Sequence, residues 1–184
     1  MNIAVISCSL HPQSRSFVLS RVAHEQLKEL GADVQLYDLR DYNLPFCDAT
    51  TAHKTADARN IIDVIGAANA VLLTVPIYNY DVNAAAKNLL ELGMRAWNNK
   101  VVGFICVAGG RASYMSVMNL ANSLMLDFRC LIVPRFVYAT GADFGDDREE
   151  TMHLQSTEVH DRITEVTKTL YDITTALSAM YRKD

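Results

Sequence analysis

At 184 residues, half of them apolar and 21% charged, the chain has a globular composition and is long enough to bury about 70% of its unfolded surface. Its formal net charge of −4 gives no electrostatic pull toward nucleic acid or an anionic membrane. No apolar run nears the roughly 20 residues of a bilayer span, the start Met1-Asn2-Ile3 lacks the basic region of a signal peptide, and the four scattered cysteines form no CxxC pair, so reduced thiols in the cytoplasm are expected.

In chain order, β-branched apolar runs predict strands over Asn2–Ser7, Asp33–Asp38, Ala70–Val75, Val101–Val107 and Cys130–Val137. Four of them are nearly continuous apolar runs, as parallel strands covered on both faces require. Helical patterns fall between and after them, near Arg15–Leu30, Ala56–Ala68, Asn83–Ala96, Ser113–Phe128 and Glu149–Arg182. In the first, Leu19, Ala23, Leu27 and Leu30 mark the sheet-facing side, and Gly31 is placed to stop it in a left-handed conformation. In the last, Val159, Ile163, Val166, Leu170, Ile173 and Leu177 form a narrow seam suited to packing on a sheet. The longest irregular stretch is Leu39–Thr55.

Alternating strands and helices imply a single α/β domain over residues 1–184, a doubly wound five-stranded parallel sheet of order 2-1-3-4-5 with helices on both faces. A barrel would need eight strands and about 250 residues. Pro134 inside the fifth run fits an edge strand, because proline cannot donate to a central ladder. Ligands of such folds bind beyond the carboxyl ends of the strands, where the winding reverses. The loops after Ser7, Val75 and Val107 are therefore the place to look.

The first loop, Ser7-Cys8-Ser9-Leu10-His11-Pro12-Gln13-Ser14-Arg15-Ser16, lacks the glycines of a P-loop or a dinucleotide fingerprint. Hydroxyls, His11 and Arg15 around a helix amino terminus make a phosphate site, although Ser14 capping the helix explains part of the pattern. Cys8 at a strand end reads as a packing residue before a nucleophile. The second loop, Pro76-Ile77-Tyr78-Asn79-Tyr80-Asp81-Val82-Asn83, offers backbone donors and aromatic surface to a planar heterocycle, or is a plain turn with Asn83 as the next cap. The third, Ala108-Gly109-Gly110-Arg111-Ala112-Ser113, lets backbone approach a ligand ahead of a helix amino terminus that favours negative charge. Three unusual loops on one rim outweigh three ordinary turns. His153 and His160, seven apart in the predicted last helix, read as solvated surface, and no metal site is expected.

Together the first loop, the Pro-x-Tyr-Asn segment and the Gly-Gly turn resemble the NAD(P)H-dependent FMN reductases of the flavodoxin-like superfamily, in matching order to about residue 140. The Ser-Arg-Ser loop looks closest to reductases that supply reduced flavin to monooxygenases; relatives include quinone, azo and chromate reductases. The resemblance implies a flavodoxin-like fold, FMN as cofactor, NADPH or NADH as hydride donor and a small-molecule electron acceptor. It places Ser9, Ser14, Arg15 and Ser16, with His11 in the same loop, at the FMN phosphate. Pro76, Ile77, Tyr78 and Asn79 would line the isoalloxazine, and Gly109, Gly110 and Arg111 would face its pyrimidine side. The chain departs from the family at Cys8, where glycine is common, at His11, where arginine is, and at Val82-Asn83-Ala84, where Pro-Gly is; Lys87-Asn88 matches.

Hydride transfer is flavin chemistry, so no acid–base side chain is required, and amides at Gly109–Arg111 are expected to stabilise charge at the reduced ring. A flavodoxin-type electron carrier and a flavin-binding regulatory protein share the fold. The carrier typically has a Thr- and Gly-rich loop and a strongly acidic face, both absent here, and a receiver needs an acidic pocket where this chain has Ser7-Cys8-Ser9. The third helix, with Leu89, Leu90, Leu92, Met94 and Trp97, reads as apolar on more than one face and suggests a homodimer or homotetramer.

Overall fold

The computed structural model describes residues 1–181. Five strands, β1 (Asn2–Ser7), β2 (Asp33–Asp38), β3 (Ala70–Tyr78), β4 (Val101–Val107) and β5 (Leu131–Ala139), form a parallel sheet in the order 2-1-3-4-5. The helices are α1 (Arg15–Glu29), α2 (Ala56–Ala67), α3 (Ala84–Gly93), α4 (Met118–Phe128) and α5 (Thr157–Tyr181). α1 and α5 bury one face of the sheet around Ile3, Val5, Leu72 and Ile105. α2, α3 and α4 bury the other around Ile6, Leu73, Phe104 and Cys106. β1, β3 and β4 are mostly apolar and buried almost throughout because both faces are covered. The seam foreseen in the last helix lies on the sheet through Val159, Ile163, Val166 and Leu170.

Local details follow from residue type. Gly31 adopts φ 82° just past α1 and ends it, as expected of a residue without a Cβ. Around Pro134, Val102 pairs with Ile132 but Phe104 with Phe136, so β5 bulges at the sheet edge where proline removes a donor.

Several predicted boundaries shift. β3 does not stop at Val75. Pro76, Ile77 and Tyr78 stay in the strand, and the chain turns back at once so that Ile77 faces Val82 and Tyr78 faces Asp81. Asn79 and Tyr80 form the two-residue turn with φ of 51° and 62°, the positive pair that matches the twist of a tight hairpin. α3 ends at Gly93 rather than Ala96 because the Trp97 indole packs against that backbone; a Cβ at Gly93 would sit 2.2 Å from its Nε1. α4 begins at Met118 rather than Ser113, after a single tight turn over Arg111–Ser113.

The last helix begins at Thr157 rather than Glu149; its predicted end, Arg182, lies outside the described residues. Ahead of it, Phe144–Gly145 and His153–Leu154 pair as a short antiparallel hairpin. His153 therefore lies in that hairpin and His160 in α5, both exposed. Leu89, Leu90 and Leu92 of α3 are all buried within the protomer, leaving Lys87, Glu91, Met94 and Arg95 outward. The leucines of α3 are thus no reason for a partner chain.

Candidate active site

Beyond the carboxyl ends of β1, β3 and β4 lies a cleft of about 750 Å³. Ser9, Arg15 and Ser16 line it from the first loop, Pro76 to Asn79 from the β3 hairpin, and Gly109 and Gly110 from the loop after β4. Its volume is that of an ordinary small-molecule site. The winding of the sheet reverses between β1 and β3, and that reversal opens the crevice. Of the residues singled out in the sequence, His11, Ser14 and Arg111 do not line this cleft. Arg111 turns to a smaller neighbouring pocket of about 230 Å³, beside Tyr114 and Tyr138.

The first loop holds its shape without glycine because its carbonyls are engaged from outside. Asn83 donates through Nδ2 to the Cys8 carbonyl at 2.7 Å, while its own N–H reaches the Pro76 carbonyl at 3.0 Å. Arg40 donates to the carbonyl of Pro12 at 2.6 Å and more weakly to that of His11; it is itself seated on the Asp38 carboxylate and over the Phe17 ring. Arg148 donates to the Gln13 carbonyl and contacts His11 Nδ1 at 3.3 Å. Gln13 N–H also points at that nitrogen, at 3.0 Å, so Nδ1 is an acceptor and the ring proton sits on Nε2.

With its carbonyls occupied, the loop has donors to offer. Ser14 Oγ accepts from Phe17 N–H at 3.0 Å as the helix cap, which leaves its hydroxyl proton free. The amides of Arg15 and Ser16 in the first turn have no partner within the helix. Both readings of Ser14, cap and site residue, thus describe compatible bonds. This donor set fits a phosphate monoester.

Arg15 is less free than its sequence position suggests. Its guanidinium makes a two-pronged ion pair with Asp147, at 2.6 and 2.5 Å, in a recess that a Cβ on Gly141 would fill. The pair raises the Arg15 value and holds the Asp147 carboxyl below its usual range. Asp147 and Arg148 sit in the turn of the 144–154 hairpin and were not visible as site residues in the sequence. The nearest signal is the run Gly145-Asp146-Asp147-Arg148 after β5, which is indistinguishable from a solvated turn.

At the third loop, Gly110 has φ −162° and ψ 170°, extended backbone open to any residue, and a Cβ there or at Gly109 would meet nothing within 4 Å. These glycines leave space for a close approach and hold no strained backbone. The helix end foreseen at this turn is corrected, since α4 starts five residues past Ser113 and only the tight turn over Arg111–Ser113 presents amides here.

Cys8 is fully buried and burial pushes its thiol well up, which fits the packing role read from the sequence. Burial likewise raises Cys106 to about 12 and Cys130 to about 11.

Residues 1–144 match the family described as NADPH-dependent FMN reductase. The chain belongs to that family. It is an NAD(P)H-dependent flavin oxidoreductase, with FMN and NAD(P)H as cofactors. An NAD(P)H-dependent FAD/FMN reductase from Geobacillus thermodenitrificans is 29% identical over 136 residues, covering 73% of this chain and 71% of that protein. Among solved structures, the flavoenzyme NAD(P)H:(acceptor) oxidoreductase of Paracoccus denitrificans superposes with a TM-score of 0.75 at 18% identity, covering 95% and 97% of the two chains. An NADH:FMN oxidoreductase in its apo form gives 0.68 at 15% identity over 91% and 89%. These two share the flavodoxin-like fold. The family match ends at residue 144, so the segment carrying Asp147 and Arg148 lies beyond it.

Proposed function

We propose that this FMN reductase holds FMN in the cleft described above, takes hydride from NAD(P)H and delivers electrons to a small-molecule acceptor such as free flavin or a quinone. The observation that carries the reading is the meeting of a donor-rich, carbonyl-braced loop with an open glycine turn on one rim. FMN supplies the hydride chemistry when bound. The chain's own residues bind and orient. The hydroxyls of Ser9 and Ser16 and the first-turn amides of Arg15 and Ser16 address the phosphate. Ser14 caps the helix behind them, the Arg15 guanidinium is held by Asp147, and His11 shapes the loop through Nδ1. Pro76, Ile77, Tyr78 and Asn79 form a stiff hairpin edge for the isoalloxazine, whose aromatic rim is the half-exposed Tyr78. Gly109 and Gly110 leave room for the ring's pyrimidine side, with Arg111 at the far end of that loop.

Residues 1–184 act as one unit in this reading, since α5 packs on the same sheet that carries the cleft. Its buried thiols suit a reducing cytoplasm. A second copy of the chain is the proposed partner. The exposed Met94 and Leu126 line one groove between α3 and α4, and they support a homodimer better than the buried leucines do. Sedimentation showing only a 20.5 kDa species at micromolar concentration would remove the dimer.

The test of the activity is an absorbance spectrum of purified protein with FMN, before and after anaerobic NADPH or NADH. Bleaching of the flavin band is the expected result. A band that stays oxidised with both nucleotides would favour an electron carrier of the same fold.

A further inference from the structure

We infer that Arg148 is the residue that makes this site prefer a phosphorylated flavin over riboflavin, an inference that rests on the flavin reading above. Three observations lead there. First, the Arg15–Asp147 pair is internally neutral, two-pronged and seated in the recess left by Gly141. The positive charge the sequence points to is therefore already matched. Second, Arg148 lines the same cleft, and among the described residues the hydrogen-bond partners of its guanidinium are neutral: the Gln13 carbonyl and His11 Nδ1. It stands beside a second arginine with one carboxylate between two cations, so an unmatched positive charge remains at the loop. Burial and Arg15 both press its value down, yet a guanidinium stays charged. A phosphate monoester, carrying about 1.5–2 negative charges near neutrality, is the group that settles such a surplus.

Third, the backbone is bent to put Arg148 there. Asp146 and Arg148 have φ of 49° and 67°, left-handed values that are uncommon for residues with a side chain. The hairpin between Gly145 and His153 thus presents Asp147 to Arg15 and Arg148 to the loop from a point more than 130 residues away in sequence. Arg148 lies past residue 144, where the family match stops.

The experiment titrates FMN and riboflavin by flavin fluorescence into wild type, Arg148→Gln, Arg148→Lys and the charge-neutral double variant Arg15→Gln with Asp147→Asn. Thermal unfolding without flavin is recorded for each. Arg148→Gln is expected to lose about ten- to a hundredfold in FMN affinity, the range of a charged hydrogen bond, with riboflavin affinity unchanged. Arg148→Lys should keep most of the preference for FMN. The double variant should lose less than Arg148→Gln, because it removes no net charge. Equal losses for both flavins in Arg148→Gln would overturn the inference and leave Arg148 a brace of the loop. So would a double variant that loses more than Arg148→Gln. If wild type binds the two flavins equally, the phosphate reading of the loop falls and takes this inference with it. If wild type prefers FMN and Arg148→Gln does too, only the role of Arg148 falls.

Discussion

The two loops that close the cleft solve opposite problems. The loop after β1 has no glycine, and side chains from three distant points, Arg40, Asn83 and Arg148, take up its carbonyls. The loop after β4 has two exposed glycines, and among the described residues no side chain from elsewhere hydrogen-bonds to Gly109, Gly110, Arg111, Ala112 or Ser113. Its base is tied where Ala108 N–H meets the Ala139 carbonyl at 2.9 Å, and its far end where Ser116 N–H meets the Ser113 carbonyl at 3.1 Å. A fixed anion of one shape rewards donors set in advance, because no ordering remains to be done at binding. A flat ring edge that changes charge needs room first. Rigidity in a loop thus comes from what grips it, and glycine content alone says little.

The largest break in this comparison should come from Asn83→Ala. It frees the buried Cys8 carbonyl and should cost about 1–3 kcal/mol in thermal or denaturant unfolding, the range for leaving a buried acceptor unpaired. It should also admit thiol reagents to Cys8. In the wild type only Cys47, the one cysteine not buried, should react, since burial holds the other thiols protonated. Slow labelling of Cys8 in Asn83→Ala would show that the arginines alone hold the loop.

Gly110→Val sharpens the other side. Its stability should stay within about 0.5 kcal/mol of wild type, because the new side chain meets open space. NADPH-dependent bleaching should slow by about tenfold, roughly 1.4 kcal/mol of barrier, with a smaller loss in oxidised FMN affinity. A fall in stability with no change in rate would make this turn a structural element like the first loop.

The smallest effect belongs to the Arg15–Asp147 pair. The folded Asp147 value is depressed, so the pair contributes stability above the ordinary carboxylate value of about 3.9 and loses it as pH falls below that. Asp147 is partly exposed, so solvent screens the pair and the acid-side loss should be slight. Comparing wild type with Asp147→Asn in acid unfolding should show the two curves converging toward low pH. Curves that stay parallel would show that the pair is not what holds the hairpin to α1.

Much of this architecture is legible in the chain itself. Strand order, helix faces, the edge position of Pro134 and the rim of the cleft follow from apolar periodicity and loop composition, which act over a few residues, and from the fixed hand of the crossovers between parallel strands. The continuation of β3 through Pro76 to Tyr78 was not legible, because only pairing with Val107 and Val82 makes that stretch a strand. The late start of α5 was likewise hidden, since Phe144–Gly145 and His153–Leu154 are strands only by virtue of each other. Above all, the sequence placed Arg15 at a phosphate with no sign of a carboxylate partner, and nothing in it singled out the turn at Asp146–Arg148. Charge is a property of a residue, but the partner that matches it is a property of space, and Asp147 stands 132 positions away from the guanidinium it neutralises.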